Sequence, residues 1–177
     1  IFEQYYNLFD ESAQHRLDLV RFEPSYQVYF ENNRPLTIRG DVQHDKQLFE
    51  KIEPGAGQAL ERYVRHSSQT YQLAVRHFLY SNFQQLGDLL RWPIIKHAPR
   101  MLWLSLQNLD RYVSRYFDDR RLKQLLEYHM VFLGSSPFQA PAIYSLMSHL
   151  DFVSGVYYPR RGMLSLADDM KLLGDGL

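Results

Sequence analysis

LGSSPFQAPAIYSLMSHLDFVSGVYYPRRGM, residues 133–163, holds three structural signals in succession. Gly134-Ser135-Ser136-Pro137 is a turn cluster. Pro141 then stands where a first helical residue would, because the N–H it lacks is unpaired there anyway. Ile143, Leu146, Met147 and Leu150 recur at the i, i+3, i+4, i+7 spacing of one helical face. After Ser154-Gly155, Val156-Tyr157-Tyr158 suits a strand, and Pro159-Arg160-Arg161-Gly162 breaks it before a second helical run. Helix, strand, tight glycine turn and helix in this order predict part of a ligand-binding enzyme that mixes helices with sheet, rather than a free-standing bundle.

The 177 residues suffice for one domain with a core of its own. Lys+Arg and Asp+Glu number 20 each, a balance that implies neither nucleic acid nor an acidic polymer as partner. Having no cysteine removes disulfides, Cys-ligated zinc and thiol catalysis together. Aromatic residues are 15% of the chain, enough to fill a core or to line an apolar site. There is no signal peptide and no apolar run of spanning length. The chain opens at Ile1 inside an amphipathic run, so it reads as an internal stretch of a longer protein. It contains no G-x-G-x-x-G: Gly55-Ala56-Gly57 lacks the third glycine and follows Pro54 rather than a strand.

Along the chain, Phe2 to Ala13 is expected to be one short helix. Tyr26, Val28 and Phe30 alternate with polar or half-polar neighbours, Asn32-Asn33 suits a turn, and Leu36 and Ile38 alternate again, which predicts a hairpin over 26–39. Asp41 is placed to cap a helix that Pro54-Gly55 ends. A longer helix is expected from about Gln58 to Tyr80, with Leu60, Tyr63, Val64, Ser67, Tyr71, Ala74, Val75 and Phe78 on one face. His66 and His77 are not at i, i+4 and share no face with a carboxylate, so they read as surface or boundary histidines, not metal ligands. Asn82 to Arg91 is a short helix on which Asp88 and Arg91 share a face and can pair. Trp92 to Leu104, WPIIKHAPRMLWL, mixes apolar residues with Lys96, His97 and Arg100, and Pro93 and Pro99 argue against one long helix. It fits either a membrane-surface anchor or a buried connector. Ser105 to Phe117 is expected to be helical with Leu106 inward. Asp118-Asp119 should begin a helix whose apolar face carries Leu122, Leu125, Leu126, His129, Met130 and Leu133, with His129 a satisfied core histidine. Met163 to Leu173 closes the chain as a helix.

The run SSPFxAPAIYSLMSHLDFxxGVYYPRxGM resembles the carotenoid desaturases, the phytoene and dehydrosqualene desaturase group of FAD-dependent, amine-oxidase-like flavoproteins. The likeness is strong over Tyr116 to Met163 and weaker over nearly all the rest. It implies an α+β fold, with a helical insertion (41–154) over a small antiparallel or mixed sheet (20–40 and 155–160), as the substrate-binding part of an oxidoreductase without its dinucleotide-binding half. The strands 26–30, 36–39 and 155–158 are then expected in one sheet. It further implies FAD in the full-length protein, a C30 or C40 polyene as substrate, peripheral contact with the cytoplasmic membrane surface through Trp92–Leu104, and a stretch that does not work alone. Asp88 and Arg91 are implied beside flavin and substrate, against the alternative of a surface ion pair. Arg160 and Gly162 are implied near the cofactor, although Arg161 replaces the first glycine of the family's Pro-Arg-Gly-Gly-Met turn. Two other readings stand beside this one: a carotenoid isomerase or oxygenase of the same group, and a non-catalytic helical interaction module.

Overall fold

The computed structural model of the chain describes residues 2–31, 35–76 and 92–175, the last from residue 96 onward where side chains are concerned. Two helices fold back on each other to form its centre. In α3 (Val42–Ile52) Asp41 is the N-cap, its carboxylate accepting from Gln43 N–H at 2.9 Å. In α4 (Ala56–Ala74) the buried face runs through Leu60, Tyr63, Val64, Ser67 and Ala74, the stripe its periodicity predicts. The two helices touch closely because Gly57 has no side chain: a Cβ there would lie 2.8 Å from the Lys46 carbonyl oxygen. That contact, not nucleotide binding, accounts for the second glycine of Gly55-Ala56-Gly57.

Around this pair pack α5 (Trp92–Leu106), α6 (Leu109–Val113) and α7 (Arg120–Glu127). The main core joins Phe49, Leu60, Tyr63, Phe117, Leu122 and Phe152. Its aromatic rings meet edge-on, Phe49 with Phe117 at 5.7 Å and with Phe152 at 6.1 Å between centroids, an arrangement that sets ring edges against ring faces. A smaller cluster of Tyr6, Ala13 and Leu17 packs against Leu166 and Leu173 of α9 (Leu164–Asp175).

The local differences from expectation have simple causes. The N-terminal stretch is two helices, α1 (Phe2–Asn7) and α2 (Ala13–Leu17), because Asp10 takes a left-handed φ of 56° and Ser12 caps a new start at Gln14 N–H. Pro93 and Pro99 do not break α5. The first lies in the opening turn, where no N–H is required, and the second forfeits one intrahelical bond. The expected 105–117 helix is broken at Asn108, which accepts from Arg111 N–H at 2.8 Å and so caps α6. Leu106 consequently points outward and is 78% exposed; Leu133 is exposed as well.

The sheet also differs. Strand β2 (Tyr26–Val28) pairs antiparallel with β3 (Leu36–Ile38), but β4 (Tyr157–Pro159) pairs with β1 (Leu19–Arg21) in a separate two-stranded sheet. The single sheet expected from 26–30, 36–39 and 155–158 is therefore two. Pro24 has no N–H to offer a ladder, so the 19–28 segment splits there into strands with different partners. The turn at 32–34 lies outside the described residues, as do Ile1, 77–91 and 176–177, which hold His77, the expected 82–91 helix, Asp88 and Arg91.

Residues 142–154 form one helical run of changing pitch: 3-10 over Ala142–Leu146, α over α8 (Met147–His149) and π over Leu150–Ser154. Gly155 ends it at φ 84°, ψ 172°, a conformation closed to L side chains, and a Cβ there would lie 2.5 Å from Arg21 Nε. Arg21 also donates to the Gly40 carbonyl at 2.7 Å, so one guanidinium links β1 to the approach to α3 and passes the end of the π turn. Gly155→Ala is expected to destabilise the protein by about 1–3 kcal/mol. In an Arg21→Ala background the same substitution should cost less, since only the backbone strain is left. Chemical denaturation of the four chains of this cycle measures the difference.

Candidate functional site

Asp151 lies on the π turn, buried at 6% exposure in an otherwise apolar run. A carboxylate taken out of water needs hydrogen-bond donors in its place. Three are supplied. Tyr26 on β2 donates its hydroxyl to Oδ2 at 2.8 Å, and Tyr128, just beyond α7, donates to the same oxygen at 2.9 Å. His129 Nε2 stands 3.0 Å from it, where the Nε2–H tautomer donates. The rings are layered as well, with Tyr128 and His129 centroids 4.2 Å apart and Tyr26 and Tyr128 5.5 Å apart. Burial first and the Asp151 charge second push both tyrosine hydroxyls far above their ordinary pKa, so they remain protonated donors. His129 is thus a core histidine with its partner satisfied, as its apolar neighbours indicated.

Tyr128 also lines a cavity of about 710 Å³, with Val28, Tyr29, Leu125, Met130 and Glu127 in its wall. Glu127 contrasts with Asp151. It is 7% exposed, and its Oε1 has no hydrogen-bond partner among the described residues. Burial, assisted by the charge of Asp110 and opposed by Lys123, pushes its carboxyl up to about 7. Glu127, short of donors and titrating near neutrality, thus stands in the cavity wall, while the donor-saturated Asp151 lies behind Tyr128 and does not line it. A buried carboxyl perturbed in this way marks sites where a proton or a polar ligand atom can be handled.

Arg160 and Gly162 lie elsewhere, in the turn between β4 and α9, and neither lines this cavity. Arg160 Nε donates to Asp18 Oδ2 at 2.9 Å and its N–H to the Asp18 carbonyl at 3.1 Å, both side chains being exposed. Gly162 takes a φ of 87°, and its N–H donates to the Pro159 carbonyl at 2.9 Å. Arg161 is not among the positive-φ residues and its side chain is exposed, so the turn accepts a side chain in place of the family's first glycine. Asp88 and Arg91 lie outside the described residues.

A dinucleotide's pyrophosphate asks for free N–H groups at a helix start. The start of α4, where Gly55-Ala56-Gly57 stands, does not offer them: Glu50 Oε1 accepts from Gly55 N–H at 2.9 Å and Oε2 from Gly57 N–H at 3.0 Å. Those bonds hold the Glu50 carboxyl below its ordinary range. This helix start already holds an anion, so it does not fit the pyrophosphate.

Residues 1–175 match the family described as flavin containing amine oxidoreductase. The chain belongs to that family. Within it, the chain is 36% identical over 177 residues to the carotenoid 3,4-desaturase of Haloarcula japonica, a match covering 100% of this chain and 36% of that protein. It is 23% identical over 161 residues to the 4,4'-diapophytoene desaturase (4,4'-diaponeurosporene-forming) of Staphylococcus aureus strain Newman, covering 91% of this chain and 32% of that one. The chain spans about a third of the length of these relatives, and both are carotenoid desaturases, the group the 133–163 run resembles.

The donors around Asp151 come from positions 26, 128 and 129, too far apart in sequence for spacing to join them. The available signal was the single acid within the apolar HLDF segment, which a buried helix admits only with partners. Glu127 makes a specific pH dependence. Its folded pKa of about 7 lies above the ordinary 4.5, so stability is full below about pH 4.5 and declines as pH rises through 7. At about 1.4 kcal/mol per pH unit of difference, the decline approaches about 3 kcal/mol. Glu127→Gln is expected to flatten this part of the stability–pH profile and to raise stability at pH 8, as denaturation series at successive pH values will show.

Proposed function

We propose that the complete protein is an FAD-dependent carotenoid desaturase acting on a C30 or C40 polyene, and that these residues form part of its substrate-binding domain. The observation that carries this reading is the match of the entire chain to a carotenoid 3,4-desaturase. The dinucleotide-binding turn is assigned to other parts of the protein, since no G-x-G-x-x-G occurs in this sequence and Glu50 fills the Gly55-Ala56-Gly57 helix start. The redox step belongs to the flavin, because no side chain holds two electrons. What this stretch contributes is part of a wall: Val28, Tyr29, Leu125, Met130 and Val131 give the cavity an apolar side for a greasy chain, while Glu31, Arg120, Arg121 and Glu127 line its polar side.

Peripheral membrane contact on the cytoplasmic side is part of the same proposal. Helix α5 shows Leu102, Trp103 and Leu106 to solvent at 60%, 46% and 78% exposure. No helix of the described residues is long and apolar enough to cross a membrane. A polyene dissolved in lipid reaches such an enzyme from the bilayer, and an interfacial helix suits that route.

Asp88 and Arg91 keep their proposed place beside the polyene, where an ionised carboxylate stabilises positive charge building on the chain and the arginine fixes its direction. The test is pigment formation by the complete protein in cells that make phytoene or dehydrosqualene, with flavin content measured alongside. The expected result is longer-wavelength absorbance from added double bonds, in a flavin-containing protein. A flavin-containing protein that changes the pigment without adding double bonds identifies an isomerase or oxygenase instead, and absence of flavin identifies an interaction module. Asp88→Asn and Arg91→Gln are each expected to lower product about 100-fold with flavin retained. Wild-type product from both single variants returns the pair to a surface ion pair, and loss in step with flavin makes it structural.

A further inference from the structure

A second pocket, of about 280 Å³, opens between α4, α5 and α6 and is lined by His66, Arg100, Trp103, Tyr112, Arg115 and Tyr116. Its two guanidinium groups have no carboxylate partner among the described residues. Arg100 donates only to neutral oxygens: Gln69 Oε1 at 2.9 Å, the His66 carbonyl at 3.1 Å and Thr70 Oγ1 at 3.3 Å. Arg115 stands over the Trp103 ring, its Cζ 4.6 Å from the centroid, a contact that orients the cation without neutralising it. The remaining polar groups are neutral. His66 Nδ1 lies 2.7 Å from the Tyr116 hydroxyl, which lies 3.3 Å from that of Tyr112. Burial first, then the charges of Arg100, Arg65 and Arg62, hold the His66 pKa below its ordinary value. No acidic side chain among the described residues lines the pocket.

The pocket adjoins the most apolar exposed surface of α5. Trp103 belongs to both, and Leu102 and Leu106 flank it on the same helix. A free anion would satisfy the arginines and leave those side chains in water. An anion carried on an apolar body satisfies both. We propose that this pocket binds the phosphodiester of a phospholipid headgroup between Arg100 and Arg115, with Trp103 at headgroup depth and Leu102 and Leu106 among the acyl chains. Arginine's planar fork suits a phosphodiester's paired oxygens, and basic residues beside an interfacial helix strengthen its hold on an anionic surface. The assignment rests on the proposed membrane contact of α5 and gives it a chemical anchor.

The experiment is flotation of the complete protein with phosphatidylcholine vesicles, with and without phosphatidylglycerol. Arg115→Gln and Arg100→Gln should each weaken partition about fivefold, and Arg111→Gln, on the same stretch but outside the pocket, should not. Arg115 is exposed, so its variant folds even if Arg100→Gln does not. In a background where Trp103 is the sole tryptophan left in the complete protein, its emission should shift to the blue on vesicle addition and less so with Arg115→Gln. Partition unchanged by Arg115→Gln, or reduced equally by Arg111→Gln, overturns the pocket while leaving membrane contact in place. No partition by the unsubstituted protein overturns both. A saturable Trp103 response to inorganic phosphate alone, without partition to vesicles, overturns the lipid assignment in favour of a free phosphate. Pigment formation is read separately, so a failure of the desaturase reading is distinguishable from each of these.

Discussion

The carboxylate of Asp151 has been withdrawn from water, and its bonds to Tyr26, Tyr128 and His129 connect three parts of the chain that nothing local joins. An uncompensated buried carboxylate costs several kcal/mol, so each donor must be in place for the fold to close. Tyr26 brings the β2–β3 hairpin, Tyr128 and His129 bring the end of α7, and Asp151 brings the 142–154 helical run. The π turn belongs to this arrangement: Asp151 lies within it, and the turn ends at Gly155 against the Arg21 guanidinium. Because the requirement is for hydrogen-bond geometry as well as apolar contact, it fixes how the hairpin sits on the helical layer more tightly than the aromatic core alone does.

Two further carboxylates act at a distance in the same way. Glu50 accepts from the first N–H groups of the turn into α4, and Glu53 accepts from Asp118 and Asp119 N–H at 3.1 and 2.8 Å at the approach to α7. Both lie at the C-terminal end of α3 or just past it, so a single helix end supplies anions to the starts of two others. Negative charge near the unpaired N–H groups of a helix start is favourable. The consequence for function is direct, because a helix start already occupied by a carboxylate is closed to a ligand's phosphate.

The apolar surface divides along the same lines. The cavity beside Tyr128 has the titrating Glu127 in its wall, whereas α5 turns Leu102, Trp103 and Leu106 outward next to two arginines without acidic partners among the described residues. The proposed polyene and membrane contacts rest on these two surfaces.

By itself the sequence determined the helices with strong caps and long apolar stripes, the β2–β3 hairpin, and the family, because each rests on near neighbours or on a long specific run. Asp41 capping α3, the Leu60–Tyr63–Val64–Ser67 face and the Asp119 start of α7 are of this kind. Only the tertiary structure decided the pairing of β4 with β1 and the partners of Asp151. Strand pairing, burial and the neutralising of a charge depend on residues more than a hundred positions away, such as Tyr26 for Asp151 and Val20 for Tyr158. Pattern reports which face of an element is apolar, but not which distant surface will cover it or which donors will reach an isolated acid.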